Sequence, residues 1–209
     1  DYLLVHYKVK DQLVHALKEE ITKAFPKLGK SISDYTDIIN PDHKERLLTL
    51  LNGQEVLFGG KVDGQFFVPT LVDEPHIDSP LMQQEIFGPI LPIIGFQSFE
   101  QLHQIIRRFE KPLALYVFSS DKIFTDRVLQ SFSFGGGVIN DTMIHYANKN
   151  LPFGGVGHSG MGAYHGAYTF KTFSHQKAIV RRSTWLDISL RYPPYKGKSK
   201  WLKFFQKIV

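Results

Sequence analysis

The chain is predicted to fold as an α/β protein, a mostly parallel sheet flanked by helices. Segments rich in β-branched and aromatic residues alternate with segments whose apolar residues recur at helical spacing. Helix-start signals stand between them, at Asn40-Pro41, Ser98 and Asp121. Strands separated by helices must cross over the sheet, which makes neighbouring strands parallel.

Tyr2–Val9 is apolar and β-rich, as expected of a sheet interior. Asp11 can then cap a helix that carries Leu13, Val14, Leu17, Ile21, Ala24 and Phe25 on one stripe, ended by Pro26. Asn40 followed by Pro41 opens a second helix through Leu47, Leu48 and Leu51, stopped by Gly53. Gln54–Phe58 and Gln65–Val72 read as strands joined through Gly59, Gly60 and Gly64. Ile90–Phe96 is a strand, and Ser98 with Gln101 forms a capping-box pattern ahead of Leu102, Ile105, Ile106 and Phe109. Leu113–Phe118 is a strand, Asp121 opens a helix using Ile123, Phe124, Val128 and Leu129, and Val138–Asn140 is a short strand. From Leu151 to Gly166 the chain becomes a Gly-rich loop. Lys177–Arg182 reads as a late strand, and a basic amphipathic tail runs from Trp201 to Val209.

Composition narrows the function. The 209 residues are 43% hydrophobic and 22% charged, which suits a packed globular protein and excludes wholesale disorder. No apolar run reaches the roughly 18–20 residues of a membrane-spanning helix, and nothing at the start reads as a leader. There is no cysteine, so disulfides, thiolate zinc sites and a Cys nucleophile cannot come from this chain; a reducing, cytoplasmic setting fits. The charge, 25 − 20 = +5, is modest, and its one dense cluster lies between Lys196 and Lys207, so nucleic acid is not an expected partner. The chain opens on an apolar strand without a Met, as one beginning in mid-protein would.

Two motifs carry chemistry on paper. Gly155-Val156-Gly157-His158-Ser159-Gly160 spells a dinucleotide-binding turn, but no clear strand precedes it and no acidic residue follows before Asp187. The simpler reading is a loop with close backbone approaches. Glu85 and Phe87 stand two residues apart in an extended segment, which turns both side chains the same way, and Gly88-Pro89 fixes the turn beyond. A carboxylate can accept hydrogen bonds from a ribose diol, and an aromatic ring can support a flat one. Spacing alone favours a solvated Glu beside a core Phe. The nine histidines show no metal-ligand spacing and are expected to be satisfied or exposed.

Glu85-Ile86-Phe87-Gly88-Pro89, then Leu151-Pro152-Phe153-Gly154-Gly155 and Ser159-Gly160-Met161-Gly162, resemble the aldehyde dehydrogenase superfamily in order and spacing. Val138-Ile139-Asn140-Asp141, Ala163-Tyr164-His165-Gly166, Phe173-Ser174-His175 and Arg191-Tyr192-Pro193-Pro194-Tyr195 resemble its class 3, the fatty and aromatic aldehyde group. The resemblance covers essentially the whole chain and matches the incomplete catalytic-domain fold. It implies a parent enzyme that oxidises an apolar aldehyde with NAD or NADP. A Cys thiolate forms a thioester that a Glu-activated water then hydrolyses. It places that Cys just upstream of Asp1-Tyr2, so this chain resembles a C-terminal portion, inactive alone, with no catalytic residue of its own.

The resemblance also implies roles for particular residues. Glu85 matches the Glu that holds the nicotinamide ribose, and Phe87 the aromatic beside the nicotinamide. Met143, Ala147 and Phe153 match positions lining the aldehyde tunnel. His165 matches a His near the active-site mouth, whereas His158 replaces the family's usual Lys. Lys177–Arg182 matches the strand that joins a partner subunit's sheet, so a homodimer is implied. The chain then divides into residues 1–173, the catalytic α/β portion, and 174–209, the oligomerisation strand and tail. The tail is expected to pack on the enzyme's body or to lie on an anionic membrane surface, since some fatty-aldehyde relatives carry an anchor there. The competing reading is a non-catalytic module that keeps the fold and binds a partner or membrane through that tail.

Overall fold

The computed structural model describes residues 1–25, 35–63, 66–185, 187 and 191–205. These fall into two units, Asp1–Glu110 and Lys111–Val209.

The first unit is built on a four-stranded mixed sheet. Its strands are β1 (Leu3–His6), β2 (Glu55–Phe58), β5 (Thr70–Asp73) and β6 (Ile90–Phe96), ordered β1-β6-β5-β2. β6 pairs in parallel with β1 and β5, and β2 runs antiparallel to β5. A hairpin of β3 (Val62–Asp63) and β4 (Phe66–Phe67) stands between. The helices are α1 (Tyr7–Ala24), α2 (Pro41–Leu50), the one-turn α3 (Pro80–Gln83) and α4 (Phe99–Ile106). Leu47, Leu50, Phe67, Val72, Leu81, Ile86 and Ile90 form the core that carries the site described below.

The start of the chain differs from the sequence expectation. β1 is an edge strand of four residues, and α1 begins at Tyr7 rather than after Asp11. The reason is local: the His6 ring accepts a hydrogen bond from Lys8 N–H (3.3 Å) and caps the first turn. Tyr7 and Val9 then lie on the helix with their side chains exposed. The expected strand at Gln65–Val72 is divided. Pro69 has no N–H to give a ladder, and β4 and β5 join different sheets on either side of it. Gly59 lets the backbone close at this point, since a Cβ there would stand 2.3 Å from the Pro69 carbonyl oxygen. Pro26, Gly64 and Gln65 lie outside the described residues.

Other expectations hold. Asn40 caps α2, its Oδ1 accepting from His43 N–H at 2.7 Å with Pro41 in the first turn, and Gly53 takes φ +73° beyond the end. The strand at Ile90–Phe96 stands as read. Ser98 Oγ accepts from Gln101 N–H (3.2 Å), and Gln101 reaches back to Gln97 N–H (2.9 Å). We expect Asn40→Ala to cost about 1 kcal/mol of stability and Asn40→Asp much less, because only the former removes the capping acceptor. Urea unfolding of the two variants checks this; equal midpoints would remove the cap.

In the second unit β7 (Ala114–Val117) and β8 (Gly136–Ile139) pair in parallel around α5 (Lys122–Ser131). Asp121 Oδ1 caps α5 through Ile123 N–H (2.9 Å) and Phe124 N–H (3.1 Å). The buried face is Thr125 and Val128; Ile123, expected inside, is exposed. α6 (Ile144–Ala147), a 3-10 turn (Gly157–Ser159), α7 (Ala167–Thr172) and α8 (Ser199–Phe205) follow. Residues 177–182 form no strand in this chain, and Ile179 and Val180 are exposed. A strand exists only through hydrogen bonds to a neighbour, so the isolated chain cannot display one that needs a second chain. The tail is helical as far as Phe205, and its last residues lie outside the described ones. The compact units divide at Glu110, whereas the division expected at residue 173 concerns roles.

Candidate functional site

Ile86 anchors the first constellation. It is buried in the core between Glu85 and Phe87, both of which are exposed. Burying Ile86 leaves the carboxylate before it and the phenyl ring after it at the surface. The Phe87 ring is 74% exposed although it is among the largest apolar side chains available to the core. Among the described residues the Glu85 carboxylate makes no hydrogen bond, though the Asp1 ammonium feels its charge. Phe87 sits at φ +51°, a left-handed conformation that costs a non-glycine residue about 1 kcal/mol or more.

Sequence reading missed what holds this segment. Arg46 Nη2 donates to the Ile86 carbonyl, and Nη1 to the Glu85 carbonyl and to Gln84 Oε1, both at 3.4 Å. His43 Nε2 bonds the Phe87 carbonyl at 2.8 Å. A Cβ on Gly88 would stand 2.6 Å from Leu47 Cδ1, so the turn lies directly on α2. The three-residue spacing of His43 and Arg46 on a capped helix was visible; nothing in the sequence linked it to residues 85–87. An open apolar groove of about 390 Å³ runs between Leu17, Ile21 and the Gly88–Leu91 segment. Its one polar side chain, Thr70, is already bonded to Val68 O and Gly60 N–H, so the groove offers no reactive group.

The second constellation lies in the other unit. Phe153 and Tyr164 exchange backbone hydrogen bonds (3.1 and 2.9 Å), closing the Gly-rich loop on itself. Around the Phe153 ring stand Tyr146 (5.1 Å between centroids), His145 and Tyr164 (5.6 Å each) and His165 (6.5 Å). His165 is held at φ +91° with Nδ1 3.0 Å from the Leu151 carbonyl. Met143, at φ +61°, precedes α6, and Ala147 ends it; both are exposed on the same short element. Tyr116 donates its hydroxyl hydrogen to Met143 Sδ at 3.4 Å. Phe153 and His165 therefore share one aromatic cluster, beside the helix that Met143 precedes and Ala147 ends. Burial raises the Tyr164 phenol above its ordinary value, and a hydrogen bond with Tyr146 adds to the shift.

One histidine departs from expectation. His145 is buried, and neither ring nitrogen has a hydrogen-bond partner among the described residues. It packs beneath Gly136, where a Cβ would meet its Cδ2 at 3.0 Å, so shape rather than polarity fixes it. No cluster of potential metal ligands occurs among the described residues, and no described helix is long and apolar enough to cross a membrane. The GxGxxG stretch is a packing device: a Cβ on Gly155 would stand 2.0 Å from Ser159 O, and one on Gly154 2.2 Å from Gly162 O. No helix opens on its last glycine, as a phosphate-binding turn requires.

The family model for the aldehyde dehydrogenase family matches residues 1–179. The 4,4'-diaponeurosporen-aldehyde dehydrogenase of Staphylococcus aureus is 48% identical over 99% of this chain and 46% of its own length. Aldehyde dehydrogenase family 3 member A2 of Mus musculus is 42% identical over 98% of this chain and 43% of its length. A substrate-bound structure of Staphylococcus aureus AldH superposes with a TM-score of 0.82 at 48% identity, covering 98% of this chain and 46% of that one. Glyceraldehyde-3-phosphate dehydrogenase GapN of Methanocaldococcus jannaschii, complexed with NADP, gives 0.69 at 28% identity, over 82% of this chain and 38% of that one. The chain spans about half the length of the curated relatives it matches.

Proposed function

The chain belongs to the aldehyde dehydrogenase family, and from that premise we propose that it supplies the nicotinamide-contacting and aldehyde-lining parts of an NAD(P)-dependent enzyme that oxidises an apolar aldehyde to its carboxylic acid. The observation that carries this reading is the outward pair of Glu85 and Phe87 across buried Ile86. The pair fits the cofactor: a carboxylate that makes no hydrogen bond among the described residues suits a ribose diol, and an exposed ring suits a flat heterocycle. Bound there, the nicotinamide supplies the hydride acceptor. Glu85 would fix the ribose by accepting its hydroxyl hydrogens, and Phe87 would limit the swing of the ring and keep water from one side. Met143, Ala147 and Phe153 would line the aldehyde's path, with His165 at its mouth. The rings around Phe153 favour an apolar chain or ring over a charged one. The relative named for 4,4'-diaponeurosporen-aldehyde and the family 3 relatives support that class.

The chain holds no cysteine, so a thiol nucleophile would have to be supplied from outside it, and the chain by itself would not turn over. Residues 177–182 would pair with a second copy in a homodimer, and the basic helix near Trp201 would lie against the enzyme or an anionic membrane surface on the cytoplasmic side.

The test is NADH titration, followed by NADH fluorescence, of the protein as its source makes it. Wild type is expected to bind. Glu85→Gln is expected to slow hydride transfer about tenfold by loosening the nicotinamide, with folding unchanged. Unchanged turnover at saturating cofactor would take Glu85 out of the site. No NADH binding by wild type would leave the stand-alone module as the better reading.

A further inference from the structure

We propose that His43 and Arg46 of α2 are positioning residues that aim Glu85 and Phe87, an inference that rests on the nicotinamide reading above. Three successive carbonyls, those of Glu85, Ile86 and Phe87, are gripped from one turn of one helix. Arg46 takes the first two and His43 the third. The pair is itself joined, Arg46 Nε–H donating to His43 Nδ1 at 3.3 Å. That bond fixes the histidine tautomer: Nδ1 accepts, so the hydrogen is on Nε2 and points at the Phe87 carbonyl. A guanidinium can hold two carbonyls at once because its donors form a rigid fork, which a lysine ammonium does not provide.

The grip has something to hold. The left-handed φ of Phe87 opposes the segment's arrangement, and a free loop would relax it. Gly88 then packs on Leu47, one residue from Arg46, so α2 supports the segment on both sides of the strained residue. The apolar packing here is carried by Leu47, Leu50, Leu81 and Ile86. The polar ends of His43 and Arg46 instead go to the backbone of the buried Ile86 and of the two exposed residues that flank it. Removing them leaves the core intact and frees the direction of the carboxylate and the ring. Orientation therefore depends on this pair more than folding does.

The test uses the protein as its source makes it, with Arg46→Ala, Arg46→Lys and His43→Ala. For Arg46→Ala we expect NADH affinity to fall about tenfold, KM for NAD to rise with it and KM for aldehyde to stay. Amide hydrogen exchange should quicken across residues 84–90, while the melting temperature stays near wild type. Added guanidinium ion should restore part of the NADH affinity of Arg46→Ala, and Arg46→Lys should recover little. If Arg46→Ala does not fold, Arg46→Lys and His43→Ala decide on the same readouts. Wild-type exchange at residues 84–90 in the variants would overturn the clamp itself. Quickened exchange with unchanged NADH affinity would overturn its role in aiming the site. Failure of wild type to bind NADH would instead remove the nicotinamide reading, and the aiming role with it, while exchange still reports the clamp.

Discussion

Gly155→Ala is expected to cost the protein about 3 kcal/mol of stability, the upper end of what overpacking does. The new Cβ would stand 2.0 Å from Ser159 O, 2.2 Å from Ser159 C and 2.5 Å from Gly160 N. All three are main-chain atoms, so no rotamer relieves the clash. Ser159 cannot retreat cheaply either. Its Oγ accepts from Val156 N–H (2.9 Å) and donates to Val156 O (3.1 Å), which ties the turn across its mouth. Gly157, two residues on, sets the comparison. It sits at φ +67° with only Lys111 Cδ at 3.8 Å, so Gly157→Ala meets conformational strain alone, about 1 kcal/mol. Thermal unfolding of the two variants separates packing from conformational freedom. If Gly155→Ala melts with or above Gly157→Ala, the close-approach account of this loop is wrong.

The elements most legible in the sequence were those whose signals are local. Asn40-Pro41, Ser98 and Asp121 act through bonds within one turn, and each caps the helix it announced. Ile90–Phe96 was readable because its apolar run is long and lies inside the sheet. The misreadings came where tertiary pairing decides. Tyr7 and Val9 have strand-forming side chains, yet β6 offers β1 partners for only four residues, and the chain turns into α1. Thr70 separates from Phe67 because Pro69 cannot donate to a ladder. Residues 177–182 carry a strand's composition without a strand's neighbours.

The site divided in the same way. Glu85 and Phe87 could be paired from the period of an extended segment, since Ile86 between them is an obvious core residue. Their support could not, because Arg46 and His43 approach from 39 or more positions earlier in sequence. In the second constellation Phe153 and His165 were singled out through a resemblance, while Tyr146, Tyr164 and His145 were not assigned. Their ring contacts depend on the Phe153–Tyr164 bridge folding the loop back, and glycines leave that turn-back unmarked in any hydrophobic pattern.

Phe153→Ala should raise KM for a bulky apolar aldehyde more than tenfold, while KM for NAD(P) stays within about twofold. Fully burying a phenyl ring against the bound aldehyde is worth about 1.5–3 kcal/mol, and each 1.4 kcal/mol is a factor of ten in binding. The ring has four aromatic neighbours within 6.5 Å, so its loss opens the wall rather than thinning it. The backbone bridge to Tyr164 survives the substitution, because it uses only N–H and C=O groups. Stability should therefore fall by less than in a fully buried Phe→Ala change, about 2 kcal/mol against 3–5. Phe153→Leu separates shape from greasiness: it keeps an apolar wall but loses the tilted and edge-on ring contacts. It should restore most of the melting temperature and only part of the aldehyde affinity. A short aldehyde that cannot reach the ring is the internal control, and its KM should change little in either variant. Should KM for NAD(P) move while both aldehydes keep theirs, Phe153 lines the cofactor's surroundings and not the aldehyde's path.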